Sequence, residues 1–199
     1  NICFEGDGYS EEWKQEATRR GLTNICHVPE AIMQFNSPQS RNVLLGEKIF
    51  NENELTCRIE VELEKYTKKV QIESRILGDL AINHIIPTAV IYQNRLLENL
   101  RGLRETFSTE EYEALGADRR ELVKEIQQRI LAIKQLVRNM IEARKVANHL
   151  PSQIEKAFSY ADHVRPYLDE IRDHIDQMEL EIDDEIWPLP KYRELLFNK

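Results

Sequence analysis

Glycine and proline are scarce, seven of each in 199 residues, which argues against a turn-rich fold and fits long helices with few connections. Cysteine is scarcer still. The three cysteines, at positions 3, 26 and 57, are scattered and form no C-x-x-C pair. That excludes a disulfide scaffold and fits a reduced, cytoplasmic setting. No apolar run reaches the roughly 18–20 residues of a membrane span, and no signal peptide is visible. Basic residues are outnumbered, 27 against 35 acidic, for a net charge of −8. A general binder of the nucleic-acid backbone needs the opposite balance, so neither nucleic acid nor membrane is expected as a partner. The sequence shows no internal repeat and no low-complexity tract. It starts at Asn1 rather than Met, so it is expected to be part of a longer or processed protein.

Helix signals dominate what is present. Asn51 is followed by Glu54, Ser108 by Glu111 and Ser152 by Glu155. In each pair the cap oxygen can accept the third residue's N–H while the glutamate returns to the cap's N–H, the Asn version being the looser match. Apolar residues follow each signal at steps of three and four. The first segment carries Leu55, Ile59, Leu63, Tyr66, Val70, Leu77, Ala81, Thr88, Ile91, Leu96 and Leu100. The second carries Leu122, Ile126, Ile130, Ile133, Val137 and Met140. The third runs from Ile154 through Phe158, Ala161, Val164, Leu168, Ile171, Ile175 and Met178 to Ile182. This spacing is the seam of helices packed at shallow angles, and the short links predict antiparallel neighbours.

Residues 1–50 read differently, as short helices. Ser10 before Glu11 and Glu12 suits a helix start, Gly21 a stop, and Pro29 and Pro38 first turns, with Ser37 capping the latter. The expected fold class is mainly α, an elongated antiparallel bundle of long, partly kinked helices. Residues 1–50 would be a connector of short helices, 51–186 the bundle, and 187–199 a Pro-containing tail on the bundle or a neighbouring subunit. At about 1.5 Å per residue the first long segment would span roughly 80 Å if straight. Pro87 and Pro166 predict kinks.

Charge is sorted between helices. The second is basic (Arg119, Arg120, Lys124, Arg129, Lys134, Arg138, Arg144, Lys145), and the third is acidic (Asp169, Glu170, Asp173, Asp176, Glu179, Glu181). Cross-helix pairs would select register more than supply stability, since exposed pairs are worth only about 0–1 kcal/mol.

Candidate chemistry is thin. None of the five histidines has a carboxylate three residues before it, so the Glu-x-x-His pair of di-metal bundles is absent. Asp162 with His163 and Glu170 with His174 suggest only local hydrogen bonds. No phosphate-binding glycine loop and no nucleophile with a base motif occurs. Hence no catalytic, cofactor-binding or metal residue is assigned. Asn83, His84 and Pro87 interrupt an apolar face, either as a kink whose polar side chains satisfy freed carbonyls or meet polar groups across an interface, or as a ligand contact; the structural case is the commoner. Asp183-Asp184-Glu185 could bind a divalent cation, but a solvated helix end needing a nearby Lys or Arg is the commoner reading. Trp187-Pro188-Leu189-Pro190 cannot be regular helix. It would lay Trp187, and then Tyr192, Leu195, Leu196 and Phe197, on another surface.

Three segments carry a resemblance: FEGDGYSEEW (Phe4–Trp13), RILGDLAINHIIPTAVIYQNRLLENLRGLR (75–104) and DDEIWPLPKYRELLF (Asp183–Phe197). In that order they resemble the C-terminal part of type III glutamine synthetases. The resemblance implies a parent enzyme that joins glutamate and ammonia, using ATP and Mg or Mn held in a preceding catalytic domain. It also implies self-association in a ring-based homo-oligomer, a dodecamer of two hexamers. This chain has no Lys-Pro dipeptide of the family's ATP signature, so no such residue is carried over and the isolated chain is expected to be inactive. The alternative is a free-standing helical adaptor that binds another protein through its acidic face or its Trp187 tail.

Overall fold

The computed structural model describes residues 4–191, 194 and 196, and among these the regular elements are all helical. Short helices come first: α1 (Glu11–Arg19), α2 (Val28–Met33), a single 3-10 turn (Gln34–Asn36) and α3 (Pro38–Gly46). Ser10 and Ser37 accept the predicted capping bonds from the N–H groups of Trp13 and Ser40. Gly21 ends the first unit at φ +71, a conformation that glycine adopts without steric cost.

All three predicted capping boxes form, the Asn51 version included. The first opens α4 (Glu52–Leu80), which passes through a π turn (Ala81–Ile85) into α5 (Ile86–Thr106). Ser108 opens only the short α6 (Thr109–Leu115); the chain breaks at Gly116 and resumes as α7 (Ala117–Asn148). The predicted second segment is therefore two helices. The third box opens α8 (Gln153–Ser159), again joined through a π turn (Tyr160–Val164) to α9 (Arg165–Glu181).

Cross-helix contacts define the topology. Gln71 bonds to Asn148, and Gln93 to the Val123 carbonyl, so α4–α5 and α7 run antiparallel. Gln71 also reaches Tyr160, while Arg95 pairs with Asp183, so α4–α5 and α8–α9 run parallel. The result is an up-down-up bundle around one long core. Ile126, Ile133, Met140, Ile171 and Met178 are fully enclosed in it. Each such side chain contributes roughly 1.5–3 kcal/mol by leaving water. A smaller core joins Leu55, Ile59, Leu63 and Ala157 to Ile32, Met33, Leu44, Leu45 and Phe50, fastening α2 and α3 to the start of α4.

The prolines act through the π turns. Pro lacks an N–H and its ring crowds the carbonyl four residues back. In both places the preceding N–H, of Ile86 or Arg165, reaches five residues back, to Ala81 or Tyr160. The wider turn absorbs the ring's bulk, and the helix continues. The two sites share a short repeat that the sequence reading missed: Asn83-His84-Ile85-Ile86-Pro87 and Asp162-His163-Val164-Arg165-Pro166.

One extra residue per π turn rotates the downstream helix by about 100°. Ile85, Ile86, Ala89 and Gln93 therefore face inward, while Ile91, predicted as core, is exposed; so is Ile154 at the start of α8. Asn83, His84 and Pro87 are exposed as well, which corrects their placement on a buried face. Asn83 donates to Asp79 at 2.6 Å, and the Thr88 hydroxyl, rather than either polar side chain, donates to the His84 carbonyl.

Sorted charge does little across the seam. Arg129 and Glu181 approach at 3.9 Å, whereas Asp169 and Asp176 pair within their own helix. Asp162 lies 3.6 Å from His27 of the N-terminal region, a partner the local reading did not foresee. The acidic helix end is compensated as expected, Asp183 by Arg95 and Asp184 by Lys191. Trp187 is buried in the bundle's own core, with Lys191 above its ring. Tyr192, Leu195 and Phe197 lie outside the described residues, and Leu196 is exposed.

Candidate functional site

In the middle of the bundle the apolar seam turns polar. On α4 the inward positions after Leu63 are Thr67, Val70, Gln71, Ser74 and Gly78, polar or small but for Val70. Small side chains there leave room, and Met140 and Val137 of α7 approach Gly78. On α7 the seam runs Ile126, Ile130, Ile133, Val137, Met140, Arg144, Ala147, so an arginine occupies a core step. The π turn between α8 and α9 supplies Tyr160, which is fully buried.

These side chains hold one another. Tyr160 Oη donates to Asn148 Oδ1 at 2.9 Å, and Gln71 Nε2 donates to both, at 3.1 Å and 3.3 Å. Gln153 donates to the Thr67 hydroxyl at 3.2 Å, and that hydroxyl donates to the Leu63 carbonyl. Ser74 donates to the Gln71 carbonyl. The layer ties the three long helical limbs at one level, and a slip of one turn would break the bonds among Gln71, Asn148 and Tyr160 and that from Gln153 to Thr67. A satisfied polar layer of this kind specifies register more than it adds stability.

Arg144 is the exception. Its Nε is buried without a partner, and it makes no ion pair among the described residues. Burial first, and then the like charge of Arg75, holds its guanidinium below the ordinary arginine pKa, with Tyr160 acting the other way. The reading by composition placed Arg144 among surface charges; its position one step beyond Met140 in the seam was the signal for its burial.

The predicted site residues do not converge. Asn83, His84 and Pro87 sit on the outside of the first π turn, and Trp187 plugs the far end of the core. Two open grooves, of about 750 and 730 Å³, flank α4 and share Glu62 and Lys65; the first lies at its start and the second between it, α2 and α9. The first has Arg58 stacked over Phe50 at 4.9 Å, and the second has an apolar floor of Tyr66, Val70, Leu77 and Leu168. Among the described residues no three His, Cys, Asp or Glu side chains are grouped to hold a metal ion, and no helix is long and apolar enough to cross a membrane.

Comparison with known proteins identifies the fold's relatives. Residues 1–104, from the first segment to the end of α5, match the family model described as the glutamine synthetase C-terminal domain. The chain belongs to that family. A glutamine synthetase of Bacteroides fragilis (strain YCH46) is 74% identical over 198 residues, covering 100% of this chain and 27% of that protein. A type-3 glutamine synthetase of Dictyostelium discoideum is 28% identical over 210 residues, covering 98% of this chain and 27% of that protein. A glutamine synthetase of Butyrivibrio fibrisolvens is 26% identical over 197 residues, covering 99% and 28%. The chain therefore spans little more than a quarter of the length of these relatives. The similarity to them continues past α5, so α7 and α9, and with them the polar layer, belong to the shared region.

Proposed function

We propose that this chain is the helical C-terminal region of a type III glutamine synthetase, and that the whole protein joins glutamate and ammonia at the expense of ATP. The observation that carries this reading is identity of 74% across the full chain to part of a glutamine synthetase. The likeness to a type-3 enzyme over nearly the whole chain favours the type III assignment.

Mg or Mn, which this activity needs beside ATP, does not fit the residues present. No carboxylate cluster suited to a cation occurs among the described residues. The polar layer is occupied by its own hydrogen bonds. No step of the ligase reaction is assigned to this chain. Its part is structural: a long rigid bundle, fastened through α2 and α3 to whatever precedes it, that supports a ring-based homo-oligomer, a dodecamer, in the cytoplasm. Division into a connector (1–50), a bundle (51–186) and a tail (187–199) belongs to the same proposal.

The test is to assay glutamine formation from glutamate, ammonia and ATP with the full-length protein and with the 199-residue chain. Turnover by the first and none by the second is the expected result. Measurable turnover by the chain alone would show that it carries chemistry of its own. Replacing the core residue Ile171 by Asp in the full-length protein should reduce the assembly's size on a sizing column; an unchanged size would remove the bundle from assembly.

A further inference from the structure

Arg75 on α4 and Arg144 on α7 stand at the same level of the bundle. Gln71 meets Asn148 one turn to one side, and Gly78 meets Met140 about one turn to the other. In an antiparallel pair those two contacts place residue 75 opposite residue 144. The like-charge effect of Arg75 on Arg144 agrees with that placement.

Two guanidiniums side by side ordinarily share a carboxylate. Here the nearby carboxylates are engaged elsewhere or face away from the pair. Asp79, one turn beyond Arg75, accepts from Asn83 at 2.6 Å. Glu142, half a turn from Arg144, pairs with Lys145 at 2.7 Å. Glu73 lines the groove on the α9 side of the helix. Asn148 Oδ1 already accepts from both Gln71 and Tyr160. Among the described residues neither arginine has an ion pair, and the Arg144 Nε has no hydrogen bond at all. A protein interior tolerates such an arrangement poorly, since an unneutralised, partly desolvated cation costs free energy that an oxyanion would return. Arginine stays charged in such a setting, and its planar fork suits two-point contact with a carboxylate or phosphate.

We propose that Arg75 and Arg144 form an oxyanion-binding site between α4 and α7, taking a carboxylate or phosphate group. Arg144 supplies the recessed fork, at the level of the Gln71–Asn148–Tyr160 triangle. Arg75 closes over the anion from the exposed side. The exposed face of the site admits either a free small anion or an acidic side chain of a neighbouring polypeptide, and the two sources are separable.

The experiment titrates the full-length protein with inorganic phosphate and, separately, glutarate, at constant ionic strength against chloride, by calorimetry and thermal unfolding. Arg144→Met keeps the aliphatic stem and removes the charge; Arg75→Gln removes the second cation; Lys69→Gln, outside the pair, is the control. For a free anion, binding saturates at one per chain. At ten times its dissociation constant it then raises the melting temperature by about 1 °C in a protein almost four times this chain's length. Both arginine variants lose this effect and weaken binding at least tenfold, while the control retains it. For a neighbouring chain's carboxylate, neither anion saturates, but both arginine variants reduce assembly size and the parent's assembly weakens as salt rises. No saturable binding together with unchanged assembly in both variants overturns the proposal. So does an anion effect that survives in Arg144→Met.

Discussion

Removing the hydroxyl of Tyr160 tests the polar layer directly. Tyr160→Phe keeps the ring in its fully buried place, so no cavity opens and the apolar contacts of the second π turn survive. Two hydrogen bonds go, the donation to Asn148 at 2.9 Å and the acceptance from Gln71 at 3.1 Å. A net hydrogen bond contributes about 0.5–1.5 kcal/mol, and a buried partner left with nothing costs about 1–3 kcal/mol more. Gln71 and Asn148 still have each other at 3.3 Å, which offsets the second cost. The loss should therefore be about 1–2 kcal/mol. In urea unfolding, the midpoint falls and the slope stays constant, because the buried area is unchanged. A double-mutant cycle with Asn148→Leu should return a coupling of at least about 0.5 kcal/mol. Stability within about 0.3 kcal/mol of the parent would show that the triangle holds nothing, and the register argument would fall with it.

Gly78→Ala should stabilise by about 0.5–1 kcal/mol, because the added methyl meets Met140 and Val137 at ordinary contact distance and glycine is a poor helix former; thermal unfolding reads it, and a loss would mean that α4 and α7 lie closer than described. Pro87→Ala should change stability by less than about 1 kcal/mol, since the ring is exposed, whereas inserting one further alanine after Asn83 should cost more than about 3 kcal/mol by rotating Ile85, Ile86 and Ala89 away from the core; equal effects would refute the phase argument. Burial raises the Glu181 carboxyl above its ordinary pKa, with Glu125 adding to the rise and Arg129 opposing it. The folded state then holds that proton more tightly than the unfolded, so this group's contribution falls as pH rises from its unfolded value through its raised one. Glu181→Gln should flatten that limb of a stability–pH profile; an unchanged slope would place the carboxyl in solvent.

Some of this fold was plain in the chain and some was not. Capping residues act on their own N–H groups, so Ser10, Ser37, Asn51, Ser108 and Ser152 could be read locally, and each caps as expected. The α7 stripe was legible because α7 is uninterrupted and keeps its period. The third stripe was also legible from Phe158 through Ile182, and the first stumbled only at Ile91, just past its π turn. A pattern search at a fixed period cannot register one inserted residue, so Ile91 was placed inside and Ala89 and Gln93 were overlooked. The polar layer was missed for another reason. Gln71, Ser74, Arg144 and Asn148 each look like surface residues alone, and only the pairing of three limbs brings them to one level. The prolines at 87 and 166 did mark both interruptions, but not their form.

The two wide turns have a mechanical consequence. A helix is softest where its ladder is interrupted, so each rising limb of the bundle carries one compliant joint. The joints are staggered: through the Gln71–Tyr160 and Arg95–Asp183 contacts, the joint before Pro166 lies about 13 Å further down the axis than the joint before Pro87. The descending helix α7 crosses both levels without a break. It acts as a splint, so a bend begun at either joint meets an unbroken strut alongside. A shaft built this way resists bending over its length while each joint still accommodates its proline locally.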